Sequence, residues 1–286
     1  MSATSQRARR VMAILAIVVG VFLVTIAPML VQVSLDAVLV ELAKVAKEKP
    51  QYGSGIALFG LFYPFWRAVG FIAGVTLIVV AFALDRGDEW AWAVALWAHA
   101  IPAVSGMFMF LPYISWVKGF PVPMVISWVG LAGFWATLLL YKSDRKTKLV
   151  KLLTFTFIGM LATHSFTLGI GAQRMLMTRP GQPLYQGLEW WILTMTGEID
   201  WMATPMLMLA IPLLALRKPA GWWLATIASL AVLLIDAPTQ IIRPATLDYL
   251  WGTLLAIGTL FFLVAPQCKK CLLEKPAATI AQPATS

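Results

Sequence analysis

Charge is scarce in this chain. Only 12% of its 286 residues are Asp, Glu, Lys or Arg, about half the share usual in a soluble domain. Cysteine occurs twice, as Cys268 and Cys271, which excludes a disulfide framework. Histidine also occurs twice, as His99 and His164. No Gly-x-x-x-x-Gly-Lys-Ser/Thr phosphate loop is present, so P-loop nucleotide hydrolysis is excluded, and no His-Glu-x-x-His pair marks a zinc hydrolase. An Asp-rich prenyl-diphosphate motif is missing, as is a mid-span lysine that might hold retinal. Ser105 lies in Pro102–Gly106, where Ala103 replaces the first glycine of a Gly-x-Ser-Gly serine-protease motif.

Apolar sequence fills the space that these groups leave. The chain is 60% hydrophobic, with a mean hydropathy of +0.82. Eight long apolar runs follow one another: Val11–Val33, Trp66–Leu84, Trp90–Leu111, Val122–Tyr141, Leu149–Gly171, Ile199–Leu216, Trp222–Ile242 and Leu247–Ala265. A helix needs roughly 20 apolar residues to cross ~30 Å of hydrocarbon. Apolarity is continuous rather than alternating, which favours helices over barrel strands. The predicted fold class is therefore all-α: a polytopic membrane bundle of eight transmembrane helices over residues 11–265, with a basic N-terminus at 1–10 and a disordered tail at 266–286. The first run is too long for the apolar core of a signal peptide and reads as a retained first helix.

Basic residues set the orientation. Fourteen of the 22 fall on the side that holds both termini, five of them in Lys142–Lys151. The positive-inside rule makes that side cytoplasmic. A net charge of +9 would suit nucleic acid, but the basic residues sit in short loops, so the expected partner is the lipid bilayer of the cell membrane and not nucleic acid. A partner subunit or a second copy stays open. Two outer segments, 34–65 and 172–198, exceed simple turns. The first carries Leu35, Val38, Leu39, Leu42 and Val45 on one face, as an interfacial helix or a continuation of the first span. Tryptophans near run ends, among them Trp66, Trp90, Trp92, Trp222, Trp223 and Trp251, read as an interfacial belt.

Polar groups inside lipid are the candidates for function. His99 and His164 both fall within spans, as proton relays or as ligands of a haem b. At 1.5 Å per residue, His99 lies ~14 Å and His164 ~22 Å from the cytoplasmic start of its helix, so one haem between them would need tilt. Arg67, Glu198, Asp200 and Asp236 mark the outer side as a vestibule, or else as anchors with Asp236 paired to Arg67 or Arg243. Pro102, Pro205, Pro212 and Pro238 interrupt apolar runs, and broken helices recur at transport sites. The Met-x-Met pairs at Met107, Met175 and Met206 offer soft sulfur, but residues two apart on a helix diverge, so gap filling is the better reading. Cys268 and Cys271 supply two metal ligands at most, and no metal is implied. The leading expectation is a permease for a small solute or ion, coupled to protons through His99, His164 and Asp236. A haem b- or quinone-binding redox subunit and a membrane-embedded lipid or isoprenoid enzyme are the alternatives.

Overall fold

Each apolar run becomes a helix because a backbone in hydrocarbon must satisfy its own hydrogen bonds. The computed structural model describes residues 4–177 and 187–274. Among these the chain forms α1 (Gln6–Thr25), α2 (Ala27–Glu48), a short 3-10 turn (Pro50–Tyr52), α3 (Gly53–Arg86), α4 (Glu89–Trp116) and α5 (Pro123–Leu140). Then come α6 (Arg145–Met177), α7 (Leu188–Ala215), α8 (Pro219–Ile242), α9 (Asp248–Val264) and α10 (Pro266–Leu273). Seven helices are long and apolar enough to cross a membrane, or eight if α9 and α10, bent by 71°, count as one unit. The expected disordered tail at 266–286 instead begins with the helix α10 over Pro266–Leu273; its remainder at 275–286, the first three residues and positions 178–186 of the second outer segment lie outside the described residues.

The helices overrun the expected spans on one side. Pro28 ends α1 and restarts the chain as α2. The two helices then run antiparallel to α3 in one register. Arg9 Nη1 donates to the Arg86 carbonyl at 2.7 Å, Gly20 meets Gly74, Arg67 Nη1 donates to Gln32 Oε1 at 2.5 Å, and Leu42 meets Gly55. Every pair sums to 94–99, so segment 34–48 continues the first span as a helix packed on α3. At ~51 Å, the 34 residues of α3 are longer than the hydrocarbon is thick. Their outer end is capped by Arg174 of α6, whose guanidinium lies 5.2 Å from the Tyr52 ring.

The described ends of the chain lie on the opposite face. Lys142 N donates to Thr4 Oγ1 at 3.2 Å and Lys146 Nζ to Gln267 Oε1 at 3.3 Å. These bonds tie the N-terminus, the α5–α6 loop and α10 together on the side richer in basic residues. Here Asp144 caps α6, accepting from Thr147 N at 2.9 Å. Its side-chain and backbone bonds to Thr147 hold the carboxyl below the usual carboxylate range. A depressed carboxyl contributes at neutral pH and loses its effect as pH falls through its own value. Asp144→Ala is expected to cost about 1 kcal/mol and to speed amide exchange at Thr147 and Lys148.

Helices α1 to α5 form one lobe. Helices α6, α7, α8 and α9 close a ring of four antiparallel neighbours. Phe166 of α6 joins the lobes, with ring centroids 5.3 Å from Phe62, 5.1 Å from Trp66 and 5.0 Å from Phe108. Two expectations need correction. The prolines do not break their helices: α4 passes through Pro102, α7 through Pro205 and Pro212, and α8 through Pro238, as neighbours and side chains in a membrane bundle allow. Nor is every end tryptophan interfacial. Trp66, Trp92 and Trp222 are buried, whereas Trp90, Trp223 and Trp251 are exposed. Two of the buried indoles donate to a carbonyl inside the bundle, whereas Trp66 packs its ring on Phe65 and Phe166. Trp92 donates to Thr137 O at 3.1 Å and Trp222 to Leu263 O at 2.8 Å.

Candidate functional site

Polar side chains on α7 recur every fourth residue. Thr196, Asp200 and Thr204 are all buried, and that spacing puts them on one face. On α8 the buried polar positions are Thr226, Ser229, Asp236 and Thr239, at steps of three or multiples near 3.6. The two stripes meet in the ring of four helices. Thr196 and Thr239 share a hydroxyl–hydroxyl bond of 2.8 Å. One turn further inward Asp200 and Asp236 become neighbours, with Ser165 of α6 beside Asp200. Tyr249 of α9 is close to both carboxylates.

Gly252 makes room for this arrangement. A Cβ there would overlap the Asp236 carboxylate and come within 3.2 Å of the His164 ring. Asp236 and His164 therefore approach α9 from two sides of one glycine. His164 Nε2 bonds the Asp248 carbonyl at 2.8 Å. A carbonyl only accepts, so Nε2 carries the hydrogen, and Nδ1 is the acceptor of the neutral ring. The cluster thus draws on all four helices of the ring.

The carboxylates have no compensation. Among the described residues all four oxygens of Asp200 and Asp236 are buried without a hydrogen-bond partner, and neither residue forms an ion pair with a basic side chain. The nearby threonines are already engaged: Thr204 Oγ1 donates to backbone carbonyls and Thr239 Oγ1 to Ile235 O at 2.7 Å. Ser229 Oγ and Thr226 Oγ1 are also buried without partners. They continue the stripe from Asp236 toward the terminal face, ~10 and ~15 Å along α8 at 1.5 Å per residue.

Against protein-family models, curated proteins and solved structures, the chain finds no match. What the site can do follows from its own chemistry.

The remaining sequence candidates lie elsewhere. Glu198 is exposed, on the far side of α7 from Asp200. Arg67 belongs to the other lobe, where Gln32 accepts its hydrogen bond and in turn donates to Asp36 at 2.9 Å. Gln240 clamps the α8–α9 turn, donating to Thr246 O and accepting from Leu250 N, both at 2.7 Å. His99 is fully buried in the α4–α5 seam. Its Nδ1 bonds Ala95 O at 2.7 Å and its ring lies over Gly133. The His99 imidazole packs over Gly133 of α5, whereas that of His164 bonds the start of α9. Ser165, Thr196, Tyr249 and Gly252 were not singled out from the sequence. The Thr196–Asp200–Thr204 spacing was the signal available for the first turn of the cluster.

Proposed function

We propose that the chain is a multi-pass permease of the cell membrane for a small solute or ion, and that Asp200 and Asp236 couple its movement to protons. One observation carries this reading: two adjacent carboxylates, fully buried within the membrane-spanning bundle, with no basic partner among the described residues and only the Ser165 hydroxyl beside Asp200. Two uncompensated charges there would cost several kcal/mol each. The pair is tolerated only while a proton or another cation is held, and a site that must hold a cation can pass one on. The partnerless hydroxyls of Ser229 and Thr226 extend polar character from the pair along α8. His164, across Gly252 from Asp236, supplies a second group that exchanges protons. Such cores recur in helical bundles, where facing helices each contribute one ligand.

The test is proton uptake into liposomes holding the purified protein and an internal pH-sensitive dye, driven by an imposed membrane potential. Uptake is expected to fall at least tenfold in Asp236→Asn and Asp200→Asn. It should persist in Glu198→Gln and Arg67→Gln, which alter charges outside the cluster. Uptake that survives both Asp substitutions would refute the coupling role.

A further inference from the structure

Helices α5 and α6 follow one another in the chain yet barely touch. Between them, backed by α4, lies a cavity of about 300 Å³, lined almost wholly by apolar side chains. It runs along α6 from Phe155 to His164 and along α4 from Ala100 to Leu111. At 1.5 Å per residue that is ~14–16 Å, close to half the ~30 Å hydrocarbon thickness. His164 is level with Asp248, where α9 begins on the face opposite the termini. The cavity therefore occupies the outer half of the bilayer, with its long axis parallel to the helices.

Three features distinguish it from a chance gap. First, it opens sideways to lipid: Met160 and Leu111 on its rim are 50% and 37% exposed. Trp135 Nε1 bridges that mouth to Thr156 Oγ1 at 3.4 Å. Second, Gly159 lines it, and a Cβ at Gly159 would meet nothing within 4 Å. No neighbouring helix requires a glycine there, although glycine weakens a helix by about 1 kcal/mol relative to alanine. The missing side chain adds only to the cavity. Third, among the described residues lining its outer end, one polar atom is left without a hydrogen bond. Ser127 and Thr163 donate to backbone carbonyls at 2.9 Å. His164 turns its Nε2 and Cδ2 edge to α9, leaving Nδ1 on the other edge as an acceptor.

We infer that this cavity binds the hydrocarbon chain of a single-chain amphiphile drawn laterally from the outer leaflet, and that the amphiphile's hydroxyl head donates to His164 Nδ1. An alkyl chain fits the apolar walls and their direction, and a hydroxyl fits the one acceptor at their outer end. An ether or ester head, which only accepts, gains nothing from that nitrogen. His164 also borders Asp236 across Gly252, so its ring stands between the head and the carboxylate pair. The chain site itself does not require that pair to move protons.

The probe is a long-chain alcohol with a photoreactive diazirine near its methyl end, added to the intact protein in lipid nanodiscs, with labelled residues mapped by mass spectrometry. The methyl ether of the same probe is the control. The alcohol is expected to label Phe134, Phe155 and Gly159 at the inner end, several-fold more strongly than the ether. Gly159→Leu, which grows into open space and keeps the fold, should reduce labelling there about tenfold. His164→Phe should bring alcohol labelling down to the ether level. Equal labelling by both probes would overturn the role of His164. Labelling unaffected by Gly159→Leu, or confined to the lipid-facing groove of Phe71, Val75 and Val79 on α3, would overturn the site. The permease reading is judged apart from this: normal cavity labelling together with unchanged proton uptake in Asp236→Asn sinks the coupling role and leaves the chain site standing.

Discussion

Gly130→Val separates α5 from α4 and lowers the melting temperature of the purified protein by ~10 °C or more. The two helices approach through small residues in one antiparallel register. A Cβ at Gly130 would fall on the backbone of Ala103, one at Gly106 on the backbone of Ser127, and one at Gly133 on the His99 ring. These pairs sum to 232–233, so the seam is continuous over more than two turns. Backbone cannot rotate away as a flexible side chain can. Lipid tails also offer no hydrophobic penalty for separating the helices, so close packing and interhelical bonds must hold them. Overpacking costs about 1–3 kcal/mol where a core can adjust, and a backbone clash lies at or above the top of that range. For a chain of this size each kcal/mol moves the midpoint by ~2–4 °C. Gly60 is the control, because a Cβ there meets nothing. Gly60→Ala should be neutral or mildly stabilising through helix propensity. A melting temperature for Gly130→Val equal to the parent's would show that α4 and α5 do not pack through this seam.

Long runs such as Trp222–Ile242 were legible as helices because hydrocarbon leaves the backbone few alternatives. Their overruns were not. Residues 53–65 of α3 carry Gly53, Gly55 and Pro64, which lower intrinsic helix preference, and packing against α2, α4 and α6 supports them as helix. Lys151 shows the same limit. As a sequence letter it counts among the loop bases. In the structure it is buried, donating to Ala215 O at 3.3 Å and lying 5.0 Å from the Trp92 ring. A lysine's burial depends on which carbonyls face it, and a single sequence does not hold that information.

The candidate site divides in the same way. Asp236, Asp200 and His164 stood out because charge and imidazole are costly in lipid. That they meet each other, while Arg67 and Glu198 stay apart, depends on which helices are neighbours. Gly252 has no chemistry to attract notice, yet its missing Cβ lets His164 and Asp236 approach the same point of α9. The Met-x-Met pairs carried a soft-ligand signal, but the apolar core takes up Met109, Met206 and Met208. Met109 and Met208 are buried in the core, and Met202 is 67% exposed on the lipid side, as gap-filling side chains would be.

Asp236→Asn is expected to make the protein more stable while it removes proton uptake. Residues that serve the fold and residues that serve activity differ in the sign of this effect. If the carboxylates were structural anchors, removing one would break a bond and lower the melting temperature. Here no ion pair exists: neither carboxylate has a basic partner among the described residues, and the adjacent Thr196 and Thr239 hydroxyls are bonded to each other. The substitution keeps the side chain's shape and removes one of the two acidic groups. Relieving an unsatisfied buried polar group is worth about 1–3 kcal/mol, or a rise of ~2–12 °C at ~2–4 °C per kcal/mol. Asp200→Asn should do nearly the same. The double substitution should add little to either, because the first has already removed the conflict the second would relieve, and neighbours that share one interaction are non-additive. Thermal scans of the three variants in one detergent decide the matter. Loss of stability in both single variants, recovered only in the double, would make the pair a structural element that shares a proton to hold α7 against α8, and the coupling role would then have to be sought outside this cluster.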